Sequence, residues 1–169
     1  MSHTLSREIA MKRLYAETVG GVDTMEDAIE QSEREMLSEE DALFSDRLYE
    51  GVHAHRTEID EEISAHAKDW SIERIAKVDL SILRIAVYEL LYEKSIPVGA
   101  TVNEAVELGK EFGGEKSAGF INGVLGMVRQ WQKLFYGPRY SMTCLRSGAA
   151  CRGKCGEVPC PTYTPDFIK

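Results

Sequence analysis

No cysteine precedes Cys144; Cys144, Cys151, Cys155 and Cys160 all fall in the last part of the chain. A foldable part without thiols suits a reduced compartment. Aromatic residues are few, at 8%, which fits helix packing better than a sheet sandwich. Positive charge is also short: 20 Lys and Arg stand against 28 Asp and Glu, for a net charge of -8 and a pI near 5.1. That balance excludes a general electrostatic grip on phosphate, so any basic patch must be local. No apolar run approaches the length of a bilayer span, and Met1-Ser2-His3-Thr4-Leu5-Ser6 is no charged-then-apolar leader. The expected location is the cytoplasm. Phosphate loops, G-x-G-x-x-G turns, G-x-S-x-G elbows and H-E-x-x-H helices are all missing, and the many carboxylates fall on polar faces. Neither an enzyme nor a cofactor is expected.

What is present is helical. A hydrophobic share of 43% is enough to fill a core, and 169 residues suit one domain with a tail. Residues 78–91 are apolar on almost every side: Val78, Leu80, Ile82, Leu83, Ile85, Ala86, Val87, Leu90 and Leu91. A surface helix carries one apolar stripe, so this one must be buried by neighbours. Around it, Ile9, Ala10 and Leu14 repeat at helical spacing over residues 6–19, with Thr4 or Ser6 as cap and Gly20-Gly21 as stop. An acidic helix is expected over 24–36. Ser38 before Glu39-Glu40-Asp41 caps a third, which buries Phe44, Leu48 and Val52. A fourth spans 56–68; Trp70 follows as a packed hinge pin, and Ser71 can cap the turn after it. Pro97 suits the first turn of a helix over 98–112, which Gly113-Gly114 ends. The last begins near Glu115 and runs to Phe135, with Gly119, Gly123 and Gly126 inside it, each costing about 1 kcal/mol against Ala. Such a cost is tolerable where a neighbour or ligand must approach the backbone closely. The expectation is an all-α domain of about seven helices over residues 1–137, in two small bundles sharing the buried central helix, with a flexible Cys-containing tail over 138–169.

Polar residues inside such a bundle need partners. Arg84 and Glu104 are the two expected there, paired to each other or to other groups, with a structural role. His53 and His55 stand two apart and face differently on a helix, so they make poor joint metal ligands. The tail's C-x6-C-x3-C-x4-C spacing from Cys144 to Cys160 lacks the usual zinc pairs and any histidine. Free thiols are preferred there to a metal site.

The central run Val78-Asp79…Ile82-Leu83-Arg84-Ile85-Ala86-Val87-Tyr88-Glu89-Leu90 resembles the signature helix of the NusB family of bacterial transcription antitermination factors. Ile96-Pro97, Val102-Asn103-Glu104-Ala105-Val106-Glu107-Leu108, Phe112-Gly113, Ser117 and Phe120-Ile121-Asn122-Gly123-Val124-Leu125 continue it in order. The resemblance implies binding of the boxA segment of ribosomal RNA leaders together with the small-subunit ribosomal protein that serves as Nus factor E. RNA polymerase is then held in a form that passes terminators. The matching RNA positions are Arg7, Lys12 and Tyr15 from the first helix, with Lys116 and Phe120 from the last. Cations there would neutralise phosphates and rings would stack on unpaired bases. Core packing is the alternative for both aromatics. Asp79 matches an acidic contact to the ribosomal partner, and an acidic chain suits a basic protein. The family's N-terminal arginine cluster is reduced here to Arg7, and basic positions after Pro97 and before Phe120 are Gly99 and Gly119. Weak RNA binding by the lone protein follows. Two other readings stay open: a protein-only scaffold whose RNA face has decayed, and a detached accessory domain of an RNA cytosine methyltransferase. Pro159-Cys160 resembles the nucleophile dipeptide of those enzymes but, without the cofactor domain, is read as coincidence. The chain as monomer or homodimer is equally open.

Overall fold

The computed structural model describes residues 3–20, 38–67 and 70–135, and all regular structure among them is helical. The expected helix over 24–36 and the four cysteines lie outside the described residues. Six α-helices follow in order: α1 (Thr4–Val19), α2 (Glu39–Ala54), α3 (Arg56–His66), α4 (Lys77–Tyr92), α5 (Val98–Glu111) and α6 (Ser117–Phe135), with a 3-10 turn (Ile72–Arg74) before α4. By contacts the chain divides into residues 1–128 and 129–169. The second unit is described only as the last turns of α6.

The helix ends show which local signals won. At α1 neither Thr4 nor Ser6 caps; His3 holds the N-cap position without a side-chain bond. Ser6 instead donates its hydroxyl to Asp41 on α2 at 3.2 Å, so a tertiary bond displaced the local one. Gly20 does stop α1: at φ +89° it takes the left-handed conformation, and its N–H reaches the carbonyls of Ala16 and Glu17. Ser38 caps α2, its Oγ accepting from the Asp41 N–H at 3.1 Å, with three carboxylates in the first turn. One residue, His55, separates α2 from α3. Ser71 makes no side-chain cap, and Pro97 stands at the N-cap of α5 rather than inside it.

The central helix is α4. Asp79 to Glu89 is buried without interruption. Helices α1, α2, α3 and α5 all pack on α4. The residues Leu14, Leu48, Val52, Ile59, Ile63, Leu83 and Val87 form one continuous core with Ile121, Leu125 and Val128 of α6. Helices α5 and α6 run close at Gly109, where a Cβ would stand 2.7 Å from Ile121 Cδ1 and 3.5 Å from the Ala118 backbone. Among the described residues no helix is long and apolar enough to cross a membrane.

Candidate nucleic-acid interface

The expected RNA residues separate into an internal one and a set of surface ones. Arg7 is internal. It is 5% exposed, its Nε donates to Glu89 Oε1 at 2.6 Å and its second guanidinium nitrogen to Oε2 at 3.0 Å. Thr101 of α5 donates to the same Oε2 at 2.7 Å. Glu104 brings an oxygen to 3.9 Å from Arg7, and the Phe44 ring lies 5.6 Å from the guanidinium carbon. This corrects the placing of Arg7 at an RNA surface. A carboxylate as buried as Glu89, at 1% exposure, must be paired, and the fork of Arg7 is the group that meets it.

The other first-helix residues lie further out. Lys12 pairs with Glu8 at 2.9 Å and sits 5.5 Å from the centre of the Phe112 ring. That contact sets α1 against the end of α5, four residues before Lys116. Tyr15 is 38% exposed. Lys116 is exposed and makes no ion pair among the described residues. Phe120 is half-buried, edge-on to Trp70 with ring centres 5.9 Å apart. A Cβ on Gly119 or Gly123 would meet nothing within 4 Å. So these glycines of α6 serve no close helix contact; they leave the helix backbone open beside Phe120.

Arg84 and Glu104 do not meet. Arg84, 5% exposed, donates to both oxygens of Asp60 on α3 at 2.8 and 2.9 Å. Residues 84 and 89 are about 140° apart around a helix axis, so Arg84 turns to α3 while Glu89 turns to α1 and α5. Glu104 is half-buried at the edge of the Arg7–Glu89 network. Asp79, in the first turn of α4, is 7% exposed, and among the described residues its Oδ1 meets no hydrogen-bond donor. A carboxylate there is favoured by the helix dipole.

Each histidine faces a carboxylate rather than another ligand: His3 with Asp41, His53 with Glu17, His55 with Glu58 and His66 with Glu62. Among the described residues no three groups are placed to hold a metal ion. Asp41 is held below the ordinary carboxylate value, first by the Ser38 hydroxyl and then by His3. Burial pushes the phenols of Tyr49 and Tyr88 up.

Sequence reasoning missed two things. Glu89 was one charge in a greasy run, a signal that it needed an internal partner. Trp70, expected as a packed pin, is 49% exposed.

The model of the NusB family matches residues 4–130. The chain belongs to the NusB family. The match takes in Arg7, Lys12, Tyr15, Asp79, Lys116 and Phe120, and stops before Cys144. Transcription antitermination protein NusB of Clostridium botulinum is 43% identical over 143 residues, covering 76% of this chain and 99% of that protein. The NusB of Geobacter sulfurreducens is 44% identical over 127 residues, covering 73% and 91%. Among solved structures, T. maritima NusB superposes with a TM-score of 0.69 at 31% identity, over 77% of this chain and 92% of that one. Antitermination factor NusB crystallised with NusE and double-stranded RNA gives 0.67 at 27% identity, over 76% and 96%. Membership places the chain among antitermination factors rather than enzymes.

Proposed function

We propose that this NusB-family protein is a cytoplasmic transcription antitermination factor. It binds the boxA segment of ribosomal RNA leaders together with NusE and helps RNA polymerase pass terminators. The observation that carries the RNA half is the start of α6, where Lys116 is exposed and makes no ion pair among the described residues and Phe120 stands beside open backbone at Gly119. The cation supplies phosphate neutralisation, and the ring supplies a face for an unpaired base. Lys12 and Tyr15 extend this face onto α1, while Arg7 is held inside the bundle by Glu89. A structural relative at 27% identity was solved with NusE and RNA together, which favours a joint complex.

Few cations on this face are free of carboxylates, so the protein alone binds RNA weakly and NusE supplies the remaining positive charge. Asp79 marks the contact with NusE. Its negative charge at the start of α4 suits a basic partner, although its Oδ1 is itself buried and meets no donor among the described residues.

Fluorescence anisotropy of a boxA oligomer and a scrambled control, titrated with and without NusE at two salt concentrations, tests this reading. Tighter binding to boxA that NusE strengthens is expected. Equal binding of both oligomers with NusE present would remove the RNA half and leave a protein scaffold.

A further inference from the structure

An indole half out of water beside another ring is an unusual use of a tryptophan. Trp70 is 49% exposed and meets the half-buried Phe120 edge-on, with the ring planes 61° apart. The backbone N–H of Trp70 bonds the Ala67 carbonyl at 3.0 Å, which ties the residue to the end of α3. The exposed indole, its own backbone N–H bonded, therefore stands next to the ring assigned above to base stacking.

The cations around it are distributed unevenly. Within residues 1–128, Arg7, Lys12, Arg13, Arg47, Arg56, Arg84 and Lys110 all have carboxylate partners. Arg74, Lys77, Lys94 and Lys116 are exposed and make no ion pair among the described residues. Three of these four lie in the two segments that carry the rings: Arg74 and Lys77 follow Trp70, and Lys116 is one turn before Phe120. An exposed indole and a half-buried ring, interleaved with cations that make no ion pair among the described residues, match the chemistry of a single strand, whose bases offer flat faces and whose backbone offers phosphates. A Cβ on Gly119 or Gly123 would meet nothing within 4 Å, so the surface of α6 next to Phe120 carries no bulky neighbour.

We propose that Trp70 is an RNA-stacking residue: an unpaired base next to the one on Phe120 lies on the indole, and Arg74 takes its phosphate. This rests on the RNA face assigned above and lengthens it from α6 onto the segment between α3 and α4. The occupant is an unpaired nucleotide of the same RNA.

The full chain carrying Trp131→Phe, which leaves Trp70 as its one indole, is titrated with the boxA oligomer while tryptophan emission is followed. Anisotropy is measured in parallel for Trp70→Ala, Trp70→Phe and Phe120→Ala. Quenching that saturates with RNA binding is expected. Trp70→Ala should weaken RNA binding roughly 5- to 150-fold, the range for one stacked base, and Trp70→Phe should keep most of the affinity. The fluorescence arm needs no change at Trp70, so misfolding of Trp70→Ala leaves the proposal testable. Unchanged emission, or an unchanged affinity of Trp70→Ala where Phe120→Ala loses affinity, overturns the role of Trp70 and leaves the RNA face standing. Equal quenching by NusE alone, without RNA, overturns it in favour of a protein contact. Absence of any boxA preference in the parent chain is the separate failure of the RNA face itself.

Discussion

Arg7 and Glu89 close a two-bond fork across 82 residues of sequence, at 2.6 and 3.0 Å, joining the first helix to the central one. Both side chains are buried, at 7% and 0% exposure. Removing one partner leaves the other charge buried and unpaired, which costs about 3–5 kcal/mol. Arg7→Ala is expected to lower stability by that amount in urea denaturation, and Arg7→Lys to restore only part because it cannot form the fork. Any loss of RNA binding in Arg7→Ala should follow the unfolded fraction. Full stability with weakened RNA binding would show Arg7 to be a direct contact.

Two glycines give opposite expectations. A Cβ on Gly51 would overlap the Tyr88 ring, whereas one on Gly123 would meet nothing within 4 Å. Gly51→Ala should destabilise by about 1–3 kcal/mol through overpacking. Gly123→Ala should stabilise by roughly 0.5–1 kcal/mol through helix propensity. If RNA approaches the α6 backbone there, the second variant gains stability while losing affinity. Thermal melts and anisotropy on one preparation separate the two effects.

Stability should fall at both ends of the pH scale for identifiable reasons. Asp41 has its pKa lowered from 3.8 in the folded state, so its contribution is present above that value and lost as pH falls through the lowered one. Ser38→Ala removes the largest cause of that shift along with the helix cap. It should cost about 1 kcal/mol near neutrality and flatten the acid limb. Tyr88 has its pKa raised from 10.0, chiefly by burial, so its contribution holds below 10.0 and is lost as pH rises through the raised value. Tyr88→Phe should flatten the alkaline limb. Denaturant midpoints measured across pH check both, and parallel curves for variant and parent would contradict them.

Much of the fold was legible because its signals are local. The run around Leu83 is apolar on every side and could only be central, Ser38 before three acids could only begin a helix, and Gly20 allowed the left-handed turn that ends α1. The polar interior was not legible in the same way. Arg84 was expected inside, but its partner Asp60 lies on another helix, and nothing in the spacing of Arg84 singles it out. Arg7 looked like one of several basic residues scattered around α1. Its burial depends on Glu89 and Thr101, which reach it only once three helices have packed. Exposure is the other property that sequence hides: an apolar Trp70 reads as core, and only the packing leaves half of it outside. The RNA face has the same origin, since Lys116 and Phe120 were named by family likeness, while the open space beside them is a tertiary fact.

The most direct measurement is transcription through a terminator placed downstream of a boxA-bearing leader, using purified RNA polymerase, the other Nus factors and NusE. Adding this protein is expected to raise the read-through fraction on the boxA template and leave a boxA-scrambled template unchanged, with Lys116→Glu and Phe120→Ala lowering the gain. Read-through that stays flat on both templates, while the protein is folded and bound to NusE, would contradict the antitermination account.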